Sequence, residues 1–397
     1  MTSVCIYFEV HQPMRLNRFS VFNIGDNGHP SIYFNNKLNQ EIFEKVAKKC
    51  YLPTNLMLLD LIHKHDGKFK ISYSLTGTFV EYCETYMPEV LQSFKDLFKT
   101  GAVDLIEETY YHSLASLYDD LDEFEEQVKM HRRMIKKIFN YKPKIFRNTE
   151  AIYDNRIAKK VADMGYKGII TEGTEKILSW RSPNYLYKPV NANLKVLLRN
   201  YSLSDDVGFR FSARLWPGHP LTAEKYAHWM SRCEGDIVNL FMDYETFGEH
   251  HWDDTGIFNF LCHLPGEIFK HRHLDFVTVS EAVERYQPVG DLDVPWAISW
   301  ADEDRDVSTW LGNDMQVACF NELKNIGRKI KEKGDQDLIN TWRRLQTSDH
   351  LYYVSTKGME DGAVHAYFSH YDGPYDGFIN YMNILQDLKQ KVDLTKI

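Results

Sequence analysis

IVNLFMDYETFGEHHW, residues 237–252, carries an apolar run directly into Asp243, Glu245, Glu249, His250 and His251. A run of this length bounded by turn residues reads as a buried strand, and charges are costly to bury without partners. A cluster of acids and imidazoles at its end is either a solvated loop or a site. The rest of the chain decides between them.

Upstream, short apolar runs alternate with amphipathic segments, the pattern of βα units. The runs are residues 4–10 (VCIYFEV), 69–77, 102–111, 143–150, 168–171 (GIIT), 194–205 and 236–245. Pro88 opens a helical stretch whose Val90, Leu91, Phe94, Leu97 and Phe98 share a face, and Gly101 stops it. A second, carrying Leu121, Phe124, Val128, His131, Ile135 and Ile138, follows Asp119 and Asp120. Asp154 and Thr222 stand where helix caps are needed, and Gly165 and Gly235 where helices end. About seven strands predict an α/β fold, a closed or nearly closed barrel rather than an open sheet, over residues 1–285. Beyond Pro288, Gly290 and Pro295 the pattern turns mostly helical, predicting a C-terminal helical region over 286–397 packed on the barrel. Residues 370–377, HYDGPYDG, read as a loop.

The chain has 397 residues, 43% hydrophobic and 26% charged, enough for a large core. A formal net charge of −9 without a basic stripe argues against a nucleic-acid partner or an anionic membrane. No run approaches the roughly 18 apolar residues that span a bilayer. The N-terminus MTSVCIYFEVHQP lacks an export pattern, and the six cysteines are dispersed without a Cys-x-x-Cys pair, so a cytoplasmic protein with reduced thiols is expected. Twenty-four Tyr and eight Trp exceed what a core usually needs, and fit either an aromatic-rich core or stacking platforms for flat ligands or sugar faces.

In a parallel barrel the strand C-termini share one rim, where sites are built. Glu9, His11 and Gln12 end the first strand, Glu107, Glu108, Tyr110, Tyr111 and His112 the third, Arg147, Asn148 and Glu150 the fourth, and the acids of 243–251 the seventh. Glycosidic cleavage needs two carboxylates flanking one bond, and Glu150 with Asp243 is a suitable pair from different strands. Strand alternation puts Glu245 on the same face as Asp243, so the two compete for the second role. The same alternation turns Arg147 away from Glu150.

HQP at 11–13, VDLIEETYYHSL at 103–114, FRNTE at 146–150, MDYETFGEHHW at 242–252 and DEDRDVSTWLGNDMQ at 302–316 resemble the five sequence regions of glycoside hydrolase family 57, closest to its α-amylase members. The resemblance implies a seven-unit incomplete barrel acting on α-1,4-glucans or maltooligosaccharides with retention. It implies Glu150 as nucleophile, Asp243 as acid/base, and His11, His112 and Trp310 as substrate contacts. Glu245 and Trp252 complete the expected substrate-binding set, Trp252 and Trp310 as floors of sugar subsites; Trp229 reads as core. No cofactor or metal is expected. Retention requires carboxyls about 5 to 5.5 Å apart, and an acid kept protonated near neutrality by burial and the negative charge of its partner.

Two other enzymes and one non-enzyme compete. A 4-α-glucanotransferase would share the covalent intermediate and differ in acceptor. A metal-dependent hydrolase would draw on His11, Asp243, His250 and His251, but adjacent strand histidines face opposite ways, and both read more simply as solvated or supporting groups. An α-glucan-binding protein on the same scaffold is the non-enzymatic reading.

Overall fold

The computed structural model describes residues 1–25, 28–357 and 369–394. Its strands are, in chain order, β1 (Thr2–Val10), β2 (Ile71–Leu75), β3 (Val103–Leu105), β4 (Ile145–Arg147), β5 (Gly168–Glu172), β6 (Lys188–Pro189), β7 (Lys195–Arg199), β8 (Ile237–Asp243), β9 (Leu274–Val277) and β10 (Asp291–Leu292). All pair in parallel. One edge of β1 is taken by β8 along Ser3–Glu9. The other is shared, with β2 on Tyr7–Val10 and β9 on Thr2–Cys5. β3 extends the sheet beyond β2, while β4, β5 and β7 form a second run.

The two runs meet at both ends. A bridge links Glu107 to Phe146, and Asn200 N donates to Asn239 O at 2.9 Å beside an Asn239 side-chain bond to Leu198 O. β1, β2, β3, β4, β5, β7 and β8 therefore curl into an incomplete barrel of seven parallel strands, with β9 tucked below β2 and the β6–β10 pair outside. Such strands are buried on both faces, which explains their near-continuous apolar runs.

Local signals hold where a cap or breaker fixed them. Asp154 accepts from Ile157 N to open Asn155–Asp163, and Thr222 from Lys225 N to open Ala223–Ser231. Helices fill Pro88–Lys99 and Asp122–Phe139, the latter ended by Asn140 in the left-handed region. Four readings change. The runs at 102–111 and 143–150 pair only over three residues each before leaving the sheet. The run at 194–205 stops at Arg199, because Asn200 accepts from Leu203 N and starts helix Tyr201–Gly208. Pro374 opens helix Pro374–Leu394, so only the first half of 370–377 is loop. Helices Asn36–Val46 and Leu52–Lys64, joined through a π-helical turn at Ala47–Tyr51, carried no sequence expectation.

C-terminal to the barrel lie helices Asp314–Lys333, Gln336–Arg344, Ser348–Tyr352 and Pro374–Leu394. One apolar cluster runs from Val4 and Ile6 of β1 to Trp342, Ile384 and Leu385, so these helices join the apolar layer packed around the outside of the barrel strands. Trp342 lies so close over Gly327 that a Cβ there would sit 2.0 Å from its ring. Among the described residues no helix is long and apolar enough to cross a membrane.

Candidate active site

The barrel interior is a small apolar cluster that includes Tyr7, Ile106, Ile145, Ile170, Leu197 and Phe241. Side chains two apart along a strand share a face, so the next inward positions toward the C-terminal rim are Glu9, Glu108, Arg147, Glu172, Arg199 and Asp243, with Ser74 on β2. A ring of charge thus caps an apolar plug, the layered interior expected of such barrels. Glu107, out of step with Glu108, turns away to Arg132 at 3.2 Å and to Tyr166, and burial raises its carboxyl to about 7.

Glu150 stands just above this ring. β4 ends at Arg147, and a 3-10 turn at Thr149–Ala151 places Glu150 at φ 56°, ψ 25° and Ala151 at φ 52°. Left-handed backbone at non-glycine residues costs about 1–3 kcal/mol each and persists only where neighbours fix it. Here Trp300 N donates to Glu150 O at 3.2 Å, and the Thr171 hydroxyl to Ala151 O at 2.7 Å. Leaving the strand frees Glu150 from alternation with Arg147, whose direct ion partner is Glu9 at 2.7 Å.

Three donors converge on the Glu150 carboxylate. His112 Nε2 lies 3.3 Å and the Ser348 hydroxyl 2.8 Å from Oε1, and Trp300 Nε1 lies 2.9 Å from Oε2. Burial pushes this carboxyl up, but His112, the Arg147 charge and the indole N–H outweigh it and hold it below its ordinary value. His112 Nδ1 faces Glu108 at 3.1 Å and Glu9 at 3.4 Å. Against the opposing effect of burial, Glu108, Glu150 and Glu9 raise its imidazole well above the usual value, so both ring nitrogens donate. His11 stacks on it, centroids 4.1 Å apart. Burial and the His112 charge lower His11, leaving it neutral. It therefore donates Nε2–H to Asp349 at 3.0 Å and accepts from Thr76 through Nδ1 at 3.0 Å.

Asp243, the last residue of β8, is treated oppositely. Among the described residues no side chain hydrogen-bonds its carboxylate. Burial, then the negative charges of Glu150 and Glu9, raise it to about 7, with Arg147 and His112 only partly opposing them. Glu245 belongs to the following 3-10 turn, Tyr244–Thr246, so strand alternation does not apply to it. It accepts from Tyr51 OH at 2.5 Å, and burial followed by the Asp243 charge raises it strongly. Tyr51 is delivered by the π-helical turn, a distortion frequent at functional sites. Gly248 has φ 108°, and a Cβ there would meet Lys49 O at 2.1 Å, so this loop closes only with glycine.

Other expected residues lie apart from this cluster. Trp310 is 1% exposed within the core, so it offers no face to a ligand. Trp252 is 52% exposed, with Lys49 Nζ 4.5 Å above its ring. Trp229 packs against the core. His251 is buried and turned to Ser212 and to Gly208 O, not solvated, and the Glu249 carboxylate is paired with Lys45 and Lys49. The metal set His11, Asp243, His250 and His251 is not assembled. Among the described residues Glu9, Glu108 and His112 alone bring metal-ligand atoms within 4.8 Å of one another, and there the proton on His112 and the Arg147 guanidinium supply the positive charge. Trp300 and Ser348 carried no sequence expectation, since neither ends a strand. The period-2 continuation of each apolar run would have found Glu172 and Arg199.

An ionised, multiply hydrogen-bonded carboxylate beside a second that stays protonated to about 7, at the rim of a parallel barrel, is the equipment of a glycoside hydrolase. The chain belongs to glycosyl hydrolase family 57, whose family model matches residues 5–295. It is 55% identical over 394 residues to a Methanocaldococcus jannaschii protein provisionally named an alpha-amylase, covering 96% of this chain and 83% of that one. Its fold matches the crystal structures of a family 57 branching enzyme from Thermococcus kodakaraensis (TM-score 0.67, 14% identity, 92% of this chain and 87% of that chain) and of a 4-alpha-glucanotransferase from Thermococcus litoralis (TM-score 0.60, 16% identity, 92% of this chain). The chain spans about half the length of the glucanotransferase, 54%.

Proposed function

We propose that this glycoside hydrolase cleaves α-1,4-glucosidic bonds of starch- or glycogen-type glucans and maltooligosaccharides by double displacement. Glu150 attacks the anomeric carbon while Asp243 protonates the leaving oxygen. Asp243, now a carboxylate, then takes a proton from water, whose oxygen displaces Glu150 and restores the α configuration. The single observation carrying this reading is the opposed surroundings of the two carboxyls: three donors converge on Glu150 and favour its ionised form, while Asp243 is buried with no side-chain hydrogen bond among the described residues, which favours its protonated form. Asp243 senses the Glu150 charge, as the short separation of a retaining pair requires.

His112, stacked on His11 and bonded to Glu150, and Glu245, bonded to Tyr51, are the proposed sugar contacts beside the two carboxyls. Trp252, half-exposed, is the remaining candidate for an outer sugar subsite. The C-terminal region completes the cleft through Ser348 and Asp349, which bond Glu150 and His11.

Incubation with a maltooligosaccharide of defined length tests the reading. Shorter sugars alone are expected; longer products as well would make the chain a glucanotransferase, and binding without turnover would overturn the enzyme assignment.

A further inference from the structure

Two members of the rim ring, Glu172 and Arg199, have no ion pair or hydrogen bond to either carboxyl proposed for catalysis. Glu172 and Arg199 there combine with Asp205 and Arg305 into a buried quartet of two cations and two anions. Arg199 spans Glu172 at 3.1 Å and Asp205 at 2.5 Å, and Arg305 spans the same two carboxylates at 3.3 and 2.8 Å. The side chains are 0% exposed for Glu172, 4% for Arg199, 9% for Asp205 and 14% for Arg305. Gly173 N closes the remaining Glu172 oxygen at 2.7 Å. Four groups from β5, β7, helix Tyr201–Gly208 and the 298–306 segment are thus locked together with their charges balanced.

This quartet reaches both sides of the site. Arg305 donates to Trp300 O, and Ser299 N donates to Arg305 O at 3.1 Å, so the guanidinium pins the loop carrying Trp300. Arg199 lies 5.7 Å and Arg147 4.5 Å from the Trp300 ring centroid, cations set against an aromatic face. Arg199 Nε also donates to Phe241 O at 2.8 Å, two residues before Asp243.

Building on the assignment of Glu150 as nucleophile, we infer that Arg305 and Arg199 are positioning residues: they hold the Trp300 indole N–H on Glu150 and tie the same frame to the strand that ends at Asp243. The quartet acts through Trp300 and touches neither substrate nor reacting atoms. An arginine fork is needed because two carboxylates and a backbone carbonyl are bonded from one planar group, which a lysine ammonium does not span.

The test is the pH profile of kcat/KM on maltoheptaose for Arg305→Met, Arg305→Lys, Trp300→Phe and the Arg305→Met/Trp300→Phe double variant, with Glu150→Gln alongside. Expected are a fall in kcat of about 10- to 100-fold in both Arg305 variants with KM little changed, and an acid limb moved to higher pH as Glu150 loses a donor. Trp300→Phe moves the limb the same way, and the double variant loses little beyond the worse single one, because both substitutions break one chain of contacts. Should Arg305→Met not fold, Arg305→Lys, which keeps the charge, gives the same reading. An unmoved acid limb in a folded Arg305 variant, or losses that multiply in the double variant, would overturn the inference. Retained activity in Glu150→Gln would instead remove the nucleophile assignment beneath it.

Discussion

The two sides of the barrel rim are built from the same residue types and end differently. On the β5–β7 side Glu172, Arg199, Asp205 and Arg305 satisfy one another, and none has a buried polar atom without a hydrogen bond. On the β1–β4 side Glu9 Oε1, Glu108 Oε1 and the Arg147 guanidinium nitrogens are buried without a well-formed hydrogen bond, although Arg147 and Glu9 are ion-paired. Leaving such groups unbonded costs about 1–3 kcal/mol each, so the half that tolerates it is the half where a ligand rich in hydroxyls is expected. Balanced charge makes a frame, and unbalanced charge makes a site.

Substitutions break this contrast most sharply at the two carboxyls. Asp243→Asn is expected to lower kcat by about 10²- to 10⁴-fold, and Glu150→Gln by at least as much, with the circular dichroism spectrum and melting temperature nearly parental. A variant that keeps most of its turnover in a maltooligosaccharide assay would refute the role given to that residue.

Glu172→Gln should reverse the balance. Removing one member of a buried ion network costs about 3–5 kcal/mol of stability, visible in denaturant titration, while kcat per folded molecule changes far less than in Glu150→Gln. Equal losses of turnover at Glu172 and Glu150 would erase the distinction between frame and site.

The pH profile of the parent enzyme sharpens it further. Glu150 must be ionised, so activity is lost as pH falls through a value below that of an ordinary glutamate. Asp243 must be protonated, so activity is lost again as pH rises through about 7. A plateau extending well into alkaline pH would exclude Asp243 as the acid.

Ser348→Ala is the smallest change. Losing one hydroxyl donor to a charged carboxylate costs about 1.5–3 kcal/mol where it acts. The expected result is an acid limb raised modestly and a smaller loss of kcat than at either carboxyl. An unchanged limb would mean that the C-terminal region does not tune Glu150.

The barrel was legible because runs such as GIIT and IVNLFMD are bounded by glycines and capping residues that leave a strand one place to start and stop. β9 was not, since Leu274–Val277 is a four-residue run with no alternation of its own. Strand reasoning also failed just past Arg147 and Asp243, where 3-10 turns replace the pleat and re-aim Glu150 and Glu245. Trp300 and Ser348 come from loops docked by long-range contacts, which local periodicity does not register. Trp310 sits in a four-residue helix, too short to tell a buried face from an open one.

Trapping the intermediate tests the central claim most directly. Asp243→Asn, given an α-maltosyl fluoride whose leaving group needs no acid, should form the covalent adduct and then stall for want of a base. Peptide mass spectrometry is predicted to find the maltosyl group on the peptide containing Glu150. An adduct on Glu245, or rapid release of a β-configured product with no adduct at all, would contradict it.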